Sequence, residues 1–318
     1  MNDPRADLHS QLFGTAPELT ASRLAELTDT ELERDRAFWR ALGFPVADDD
    51  ETPYSADDVL ALEALGRLIG GGLLDEDAAL RLARAMGRAL AGIARAHAEL
   101  IGQVAATAGA QPQELLSSFR PLLPDVEALL VFVWRRHLSA ALTDLLSSDE
   151  PAETRTLAVG FVDVTGYTAM SRTHSPIVVR HVIRTFEARV TDTVTSYGGR
   201  VVSTLGDAVL FTVPECPAAA RLGLDLARLP DGVDELPPVR IGLAFGEVLA
   251  HHGDVLGPVV NLAARLCEVA RPGTVLVDRE AAAALDGVAG LTVRRVGRVS
   301  VRGYSHLEPW VLRSAESA

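Results

Sequence analysis

The rhythm of apolar and polar positions changes once along the chain, across residues 147–154. Before that stretch, apolar residues recur at the three-to-four spacing of helices; after it, short β-branched runs alternate with helical ones. Residues 1–18 show no period, which predicts a mobile start. Thr20 can cap a helix beginning at Ala21. Thr28 or Thr30 can cap a second helix through Trp39 and Leu42, stopped by Gly43 and Pro45. An acidic loop (ADDDETP, 47–53) precedes Ser55, which caps a helix with Asp57 and Asp58 in its first turn. Long Ala/Leu/Arg-rich helices follow from Leu60 to Leu145, broken at Gly70–Gly72, at Ala108–Pro112 and at Pro121–Pro124. The run Glu76–Val104 places Leu80, Ala83, Met86, Leu90, Ile93 and His97 at helical spacing.

From Arg155 the pattern predicts a strand at 156–162, a helix at 175–197, a hairpin around Asp207 and a helix at 216–228. A strand at 239–250, a helix at 259–269, a strand at 274–277, a helix at 279–285 and a final β pair from Leu291 complete the chain. A hairpin inside an alternating series points to an α+β, ferredoxin-like palm and not to a doubly wound sheet. The expected layout is an all-α domain over 1–146, a linker over 147–154 and an α+β domain over 155–318.

Charge sharpens this division. Residues 1–150 hold 13 Arg against 25 Asp and Glu, and the remainder 17 against 18, so nearly all of the net −13 lies in the helical half. The start at about 20–65 looks like a winged-helix or MerR-type module, but its charge has the wrong sign for phosphate contacts, so no DNA partner is expected. The helix over Leu129–Leu146 is apolar around much of its circumference apart from Arg135, Arg136 and His137. A bundle core or dimer interface is the favoured reading, and an apolar ligand such as a fatty acid the alternative. No apolar run is long enough for a membrane span, and no signal-like start is present, which predicts a cytoplasmic protein. Cys216 and Cys267 lack any ligand spacing and read as small buried residues.

The candidate chemistry sits in GGRVVSTLGDAVLF (198–211) and LAVGFVDV (157–164). In the first, Asp207 follows Gly206 at a hairpin tip; in the second, Asp163 interrupts an apolar strand. Two carboxylates on rigid supports suit a hard cation such as Mg²⁺ or Mn²⁺. Asn261 and Arg265 are four apart on one predicted helix and share a face. No G-x-G-x-x-G or P-loop follows any strand.

Four segments, FVDVTGYTAMS (161–171), GGRVVSTLGDAVLFTV (198–213), VRIGLAFGEVLAHHGDVLGPVVNLAARL (239–266) and ARPGTVLV (270–277), resemble the class III nucleotidyl cyclases in order and spacing. The resemblance implies cyclisation of a nucleoside triphosphate, with Asp163 and Asp207 holding two Mg²⁺ or Mn²⁺ ions. It implies that Asn261 and Arg265 act on the ribose and the α-phosphate. Arg302, in SVRGY, stands where the family usually has a phosphate-binding Lys. It also implies a head-to-tail homodimer in which one chain supplies the metal carboxylates and its partner supplies Ser203, Asp254, Asn261, Arg265 and Arg302.

Ser203 departs from the pattern. Adenylate cyclases usually have Lys there and guanylate cyclases Glu, while Asp254 is the adenine-type companion acid. The chain contains no lysine at all. Arg200, three residues earlier, is expected to point to the opposite strand face, and a serine hydroxyl reaches a base only through water. Low activity, relaxed base choice or another base preference follow as readings. The expected function is an ATP-cyclising enzyme regulated by its helical half. The rivals are an impaired cyclase-homology domain that binds nucleotide or simply dimerises, and a DNA-binding regulator with a nucleotide-sensing domain.

Overall fold

The computed structural model describes residues 4–48, 51–72, 74–110, 119–147, 154–232, 236–251, 253–297, 299–301 and 304–315. The chain forms two compact units, 1–142 and 143–318. Of the expected linker at 147–154, residues 148–153 lie outside the described residues, as does Arg302.

The first unit is helical: α1 (Pro4–Phe13), α2 (Ala21–Thr28), α3 (Leu32–Leu42), α4 (Ala56–Gly70), α5 (Glu76–Ala108) and α6 (Leu123–Ser147), the last running on into the second unit. Helix α1 occupies a stretch where no period was expected. Pro4 opens it with a preset φ, and His9 stacks on Phe13 one turn later at 4.4 Å. Thr20 caps α2 as expected, whereas α3 starts after Glu31 instead of a threonine. Thr28 donates back to its own helix and Thr30 donates to Asp35 within α3, so neither threonine stands at the N-cap, and Glu31 takes that place. Ser55 and Asp58 form a capping box on α4. Leu24, Trp39, Tyr54 and Leu62 close a small core. Beyond it, α6 presents Leu129, Phe132 and Trp134, each 60% exposed in the single chain.

The second unit is an eight-stranded sheet with path order β2-β3-β1-β4-β6-β10-β7, and β5 pairs with β4. Its strands are β1 (Thr154–Val164), β2 (Arg200–Leu205), β3 (Ala208–Val213), β4 (Val239–His251), β5 (Asp254–Leu256), β6 (Val275–Val277), β7 (Leu291–Arg295) and β10 (Trp310–Ser314). A separate hairpin, β8 (Val299–Val301) and β9 (Tyr304–Leu307), interrupts the expected final pair. The β2-β3-β1-β4 core is antiparallel throughout, which is the ferredoxin-like order expected. Helices α8 (Pro176–Ser196), α9 (Cys216–Ala227) and α11 (Arg279–Ala284) cover one face around Phe186, Phe211, Leu222 and Ile241. Helix α10 (Pro258–Val269) covers the other through Ala263 and Leu266, and short α7 (Tyr167–Thr173) follows β1.

Glycine sets how closely these layers approach. A Cβ on Gly242 would stand 2.2 Å from the Cys267 amide nitrogen and 2.3 Å from the Ala263 carbonyl oxygen, so α10 lies against β4 only because that side chain is missing. Cys216 and Cys267 are buried, as expected, and burial pushes both thiols up to about 12, which leaves them unreactive at neutral pH.

Asp278 caps α11 at 4% exposure, accepting from the Ala281 amide at 2.9 Å and the Phe245 amide at 3.2 Å. Burial nevertheless pushes its carboxyl from 3.8 up to about 6. The native state therefore holds this proton more tightly than the unfolded chain. Its contribution to stability is complete below pH 3.8 and lost as pH rises through about 6. Asp278→Asn keeps the cap without the charge, so thermal melts should show a flatter dependence of Tm on pH across that window. An unchanged dependence would remove Asp278 as its source.

Candidate active site

Two carboxylates meet at one end of the sheet. Asp163 is the penultimate residue of β1, in register with Ala208 of β3 and Arg240 of β4. Asp207 closes the β2–β3 turn, where Gly206 supplies φ 70°. The Val164 amide donates to the Asp207 carbonyl at 3.0 Å and fastens that turn to the end of β1. The Asp163 side chain is 14% exposed, and Asp207 is half-buried. Burial pushes the Asp163 carboxyl upward; Arg240 opposes this, and the charge of Asp207 adds to it. Among the described residues no group of three or more His, Cys, Asp or Glu side chains gathers. Two hard oxygen donors without a fuller cage fit a cation such as Mg²⁺, which takes one or two protein carboxylates and completes its shell with phosphates and water.

Arg240, which the sequence reading missed, organises this corner. Its Nε donates to Asp163 Oδ2 at 2.6 Å, and its Nη1 donates to the Glu268 carbonyl at 2.9 Å. Glu268 Oε2 in turn accepts from Arg265 Nη1 at 2.6 Å. A continuous chain of contacts thus joins Asp163 to Arg265 through Arg240 and Glu268. Asn261 lies one turn earlier on α10, exposed and on the same helical face as Arg265. Only the strand pairing brings Arg240 opposite Asp163, since the two are 77 residues apart in sequence.

The expected base readers lie on β2 and on the β4–β5 hairpin. Ser203 is half-buried and in register with Leu210, while exposed Asp254 pairs with His251 and accepts from its neighbour Val255 at 2.8 Å. One expectation is overturned. Val201 pairs with Phe211 but Ser203 pairs with Leu210, so Val202 is an extra residue in a β-bulge. Arg200 pairs with Thr212, two residues from Leu210 on β3, so Arg200 and Ser203 share a face after all. The odd offset fails because the bulge absorbs one residue.

The description "Adenylate and Guanylate cyclase catalytic domain" matches residues 150–314, just over half of the chain. The chain belongs to this family. An adenylate cyclase of Glutamicibacter nicotianae is 30% identical over 339 residues, spanning 100% of this chain and 84% of that protein. An adenylate cyclase of Streptomyces coelicolor is 34% identical over 283 residues, covering 87% of this chain and 74% of its own. Similarity to the first therefore extends through the helical unit as well as the cyclase domain. Among solved structures, the adenylyl cyclase CyaB from P. aeruginosa is 19% identical and aligns over 51% of this chain and 96% of its own, at TM-score 0.47.

For a cyclase domain, the Arg240 contact has a measurable consequence. Arg240→Met removes the partner that orients Asp163 while keeping the aliphatic stem. With Asp163 in the role of a cation ligand, turnover should fall ~10–100-fold and the half-maximal Mg²⁺ concentration should rise, as for residues that orient a metal's ligands. A variant with an unaltered Mg²⁺ response would show that Arg240 only braces the strands.

Proposed function

We propose that this chain cyclises ATP to 3′,5′-cyclic AMP and pyrophosphate at sites shared between two copies of itself. The observation that carries the reading is the pair of carboxylates, Asp163 and Asp207, at adjoining strand ends of a domain that belongs to the cyclase family, with Asn261 and Arg265 sharing one face of α10 where a second copy could meet them. In the reaction the ribose 3′-hydroxyl attacks the α-phosphate and pyrophosphate leaves.

Asp163 and Asp207 would hold the Mg²⁺ or Mn²⁺ ions. When bound, these supply positive charge that lowers the hydroxyl's pKa and offsets the triphosphate's charge. Asn261 orients the ribose. Arg265 leaves Glu268 for the α-phosphate, where its guanidinium acts on charge that grows in the transition state. Ser203 and Asp254 face the base, and Arg302 clamps the triphosphate. Adenine offers an N6 amino donor to Asp254 where guanine offers the O6 acceptor, so a carboxylate favours ATP.

The outward apolar side chains of α6 support a dimerising role for residues 1–146, which would then regulate how two catalytic domains dock. No described helix is long and apolar enough to cross a membrane. A second reading, a nucleotide-binding regulatory dimer with catalysis impaired, is favoured by one observation: Ser203 replaces the base-reading Lys in a chain without lysine. Incubation of the purified chain with ATP or GTP, each with Mg²⁺ or Mn²⁺, separates the two. Cyclic AMP is expected as the main product. Bound nucleotide without any cyclic product would establish the second reading.

A further inference from the structure

The β2 bulge has a partner across the domain. Arg200 Nη1 donates to the Gly253 carbonyl at 2.6 Å, a contact that spans 53 residues of sequence. Gly253 holds φ 83° at the tip of the β4–β5 hairpin and immediately precedes Asp254, the first residue of β5. The Arg200 guanidinium is therefore bonded one residue from the carboxylate that the cyclase reading assigns to the adenine amino group. Asp254 uses Oδ1 to accept from Val255 at 2.8 Å, which orients the carboxylate.

The bulge makes this contact available. Arg200 and Ser203 lie on the face of β2 that packs with Leu210, about 7 Å apart by their partners' spacing on β3. Val201 turns to the opposite face beside Phe211, and Val202 joins the Leu210 side. Without the extra residue, strand alternation would send Arg200 to the other face, away from Ser203. A serine is too short to read a purine directly, and no lysine exists to replace it. Holding the one remaining reader in place is a different solution to the same recognition problem.

We propose that Arg200 is a positioning residue for purine selection: it pins the β4–β5 hairpin, and with it Asp254, against the strand that carries Ser203. This rests on the cyclase reading, and it deepens that reading by assigning base preference to a braced carboxylate instead of two direct readers. Arg200 acts on where the base sits, and the α-phosphate chemistry belongs to other residues. Its removal should therefore appear in KM and in base preference more than in kcat.

The test compares wild type, Arg200→Met, Arg200→Lys, Asp254→Ala and the Arg200→Met/Asp254→Ala double variant. Each is assayed for kcat and KM with ATP and GTP, and for equilibrium binding of ATPαS and GTPαS. Arg200→Met should raise the KM for ATP about tenfold, keep kcat within about threefold and narrow the preference for ATP over GTP. Arg200→Lys, which retains one donor for the Gly253 carbonyl, should recover part of that preference. The double variant should be no less selective than Asp254→Ala alone, because the brace has no purpose without the carboxylate. Multiplying effects in the double variant, or a wild-type ATP-to-GTP ratio in Arg200→Met, would overturn the proposal. Failure of the cyclase reading has another signature: wild type makes no cyclic product, while the analogue-binding comparison still reports on Arg200. Failure of wild type to bind either analogue would overturn both.

Discussion

Asp207→Ala is expected to lower cyclic nucleotide formation by about 10³-fold or more while leaving the far-ultraviolet spectrum and melting temperature near wild type, because the proposed cation chemistry, worth several kcal/mol, depends on this carboxylate. The fold should tolerate the change. The turn is held by the main-chain bond from Val164 to the Asp207 carbonyl, and its geometry depends on Gly206. Asp163→Ala is a less clean probe, since it also strands the Arg240 guanidinium beside a half-buried corner. Full activity in folded Asp207→Ala would remove the carboxylate pair from the reaction.

The second large effect concerns α10. Arg265→Ala should reduce kcat by about 10²–10³-fold with a much smaller change in KM, as expected for a donor whose contribution grows in the transition state. In the structure Arg265 is paired with Glu268 one turn along its own helix. Both side chains are partly exposed, at 36% and 55%, so the pair is a weak competitor for a phosphate. A variant with unchanged kcat but raised KM would make Arg265 a ground-state binding residue only.

Much of this arrangement was legible in the sequence, and the exceptions have physical reasons. The strand and helix alternation of the second unit, the Asp207 turn and the shared face of Asn261 and Arg265 all follow from local periodicity, which needs no knowledge of pairing. Arg240 was invisible because its importance lies in strand register: it faces Asp163 only once β1 and β4 pair. The bulge was hidden for another reason. Val201 and Val202 are both apolar and pack on opposite faces, so their pattern does not reveal the slip that returns Arg200 to the side of Ser203. In the first unit, α1 escaped because a proline start and the His9–Phe13 stack are not signals of apolar periodicity. The N-cap of α3 is Glu31, whose side chain makes no cap bond, so no capping residue marks that start in the sequence.

The central claim is a cyclase whose sites are completed by two chains, and mixing two inactive variants tests it most directly. An Asp207→Ala chain keeps Arg265, and an Arg265→Ala chain keeps Asp207. In their heterodimer one site receives both intact contributions and the other receives neither. An equimolar mixture, exchanged through dissociation and with heterodimers verified by differential tagging, should recover about one quarter of wild-type activity, because half the dimers are mixed and each has one working site. Verified heterodimers that stay as inactive as either parent would contradict the shared site.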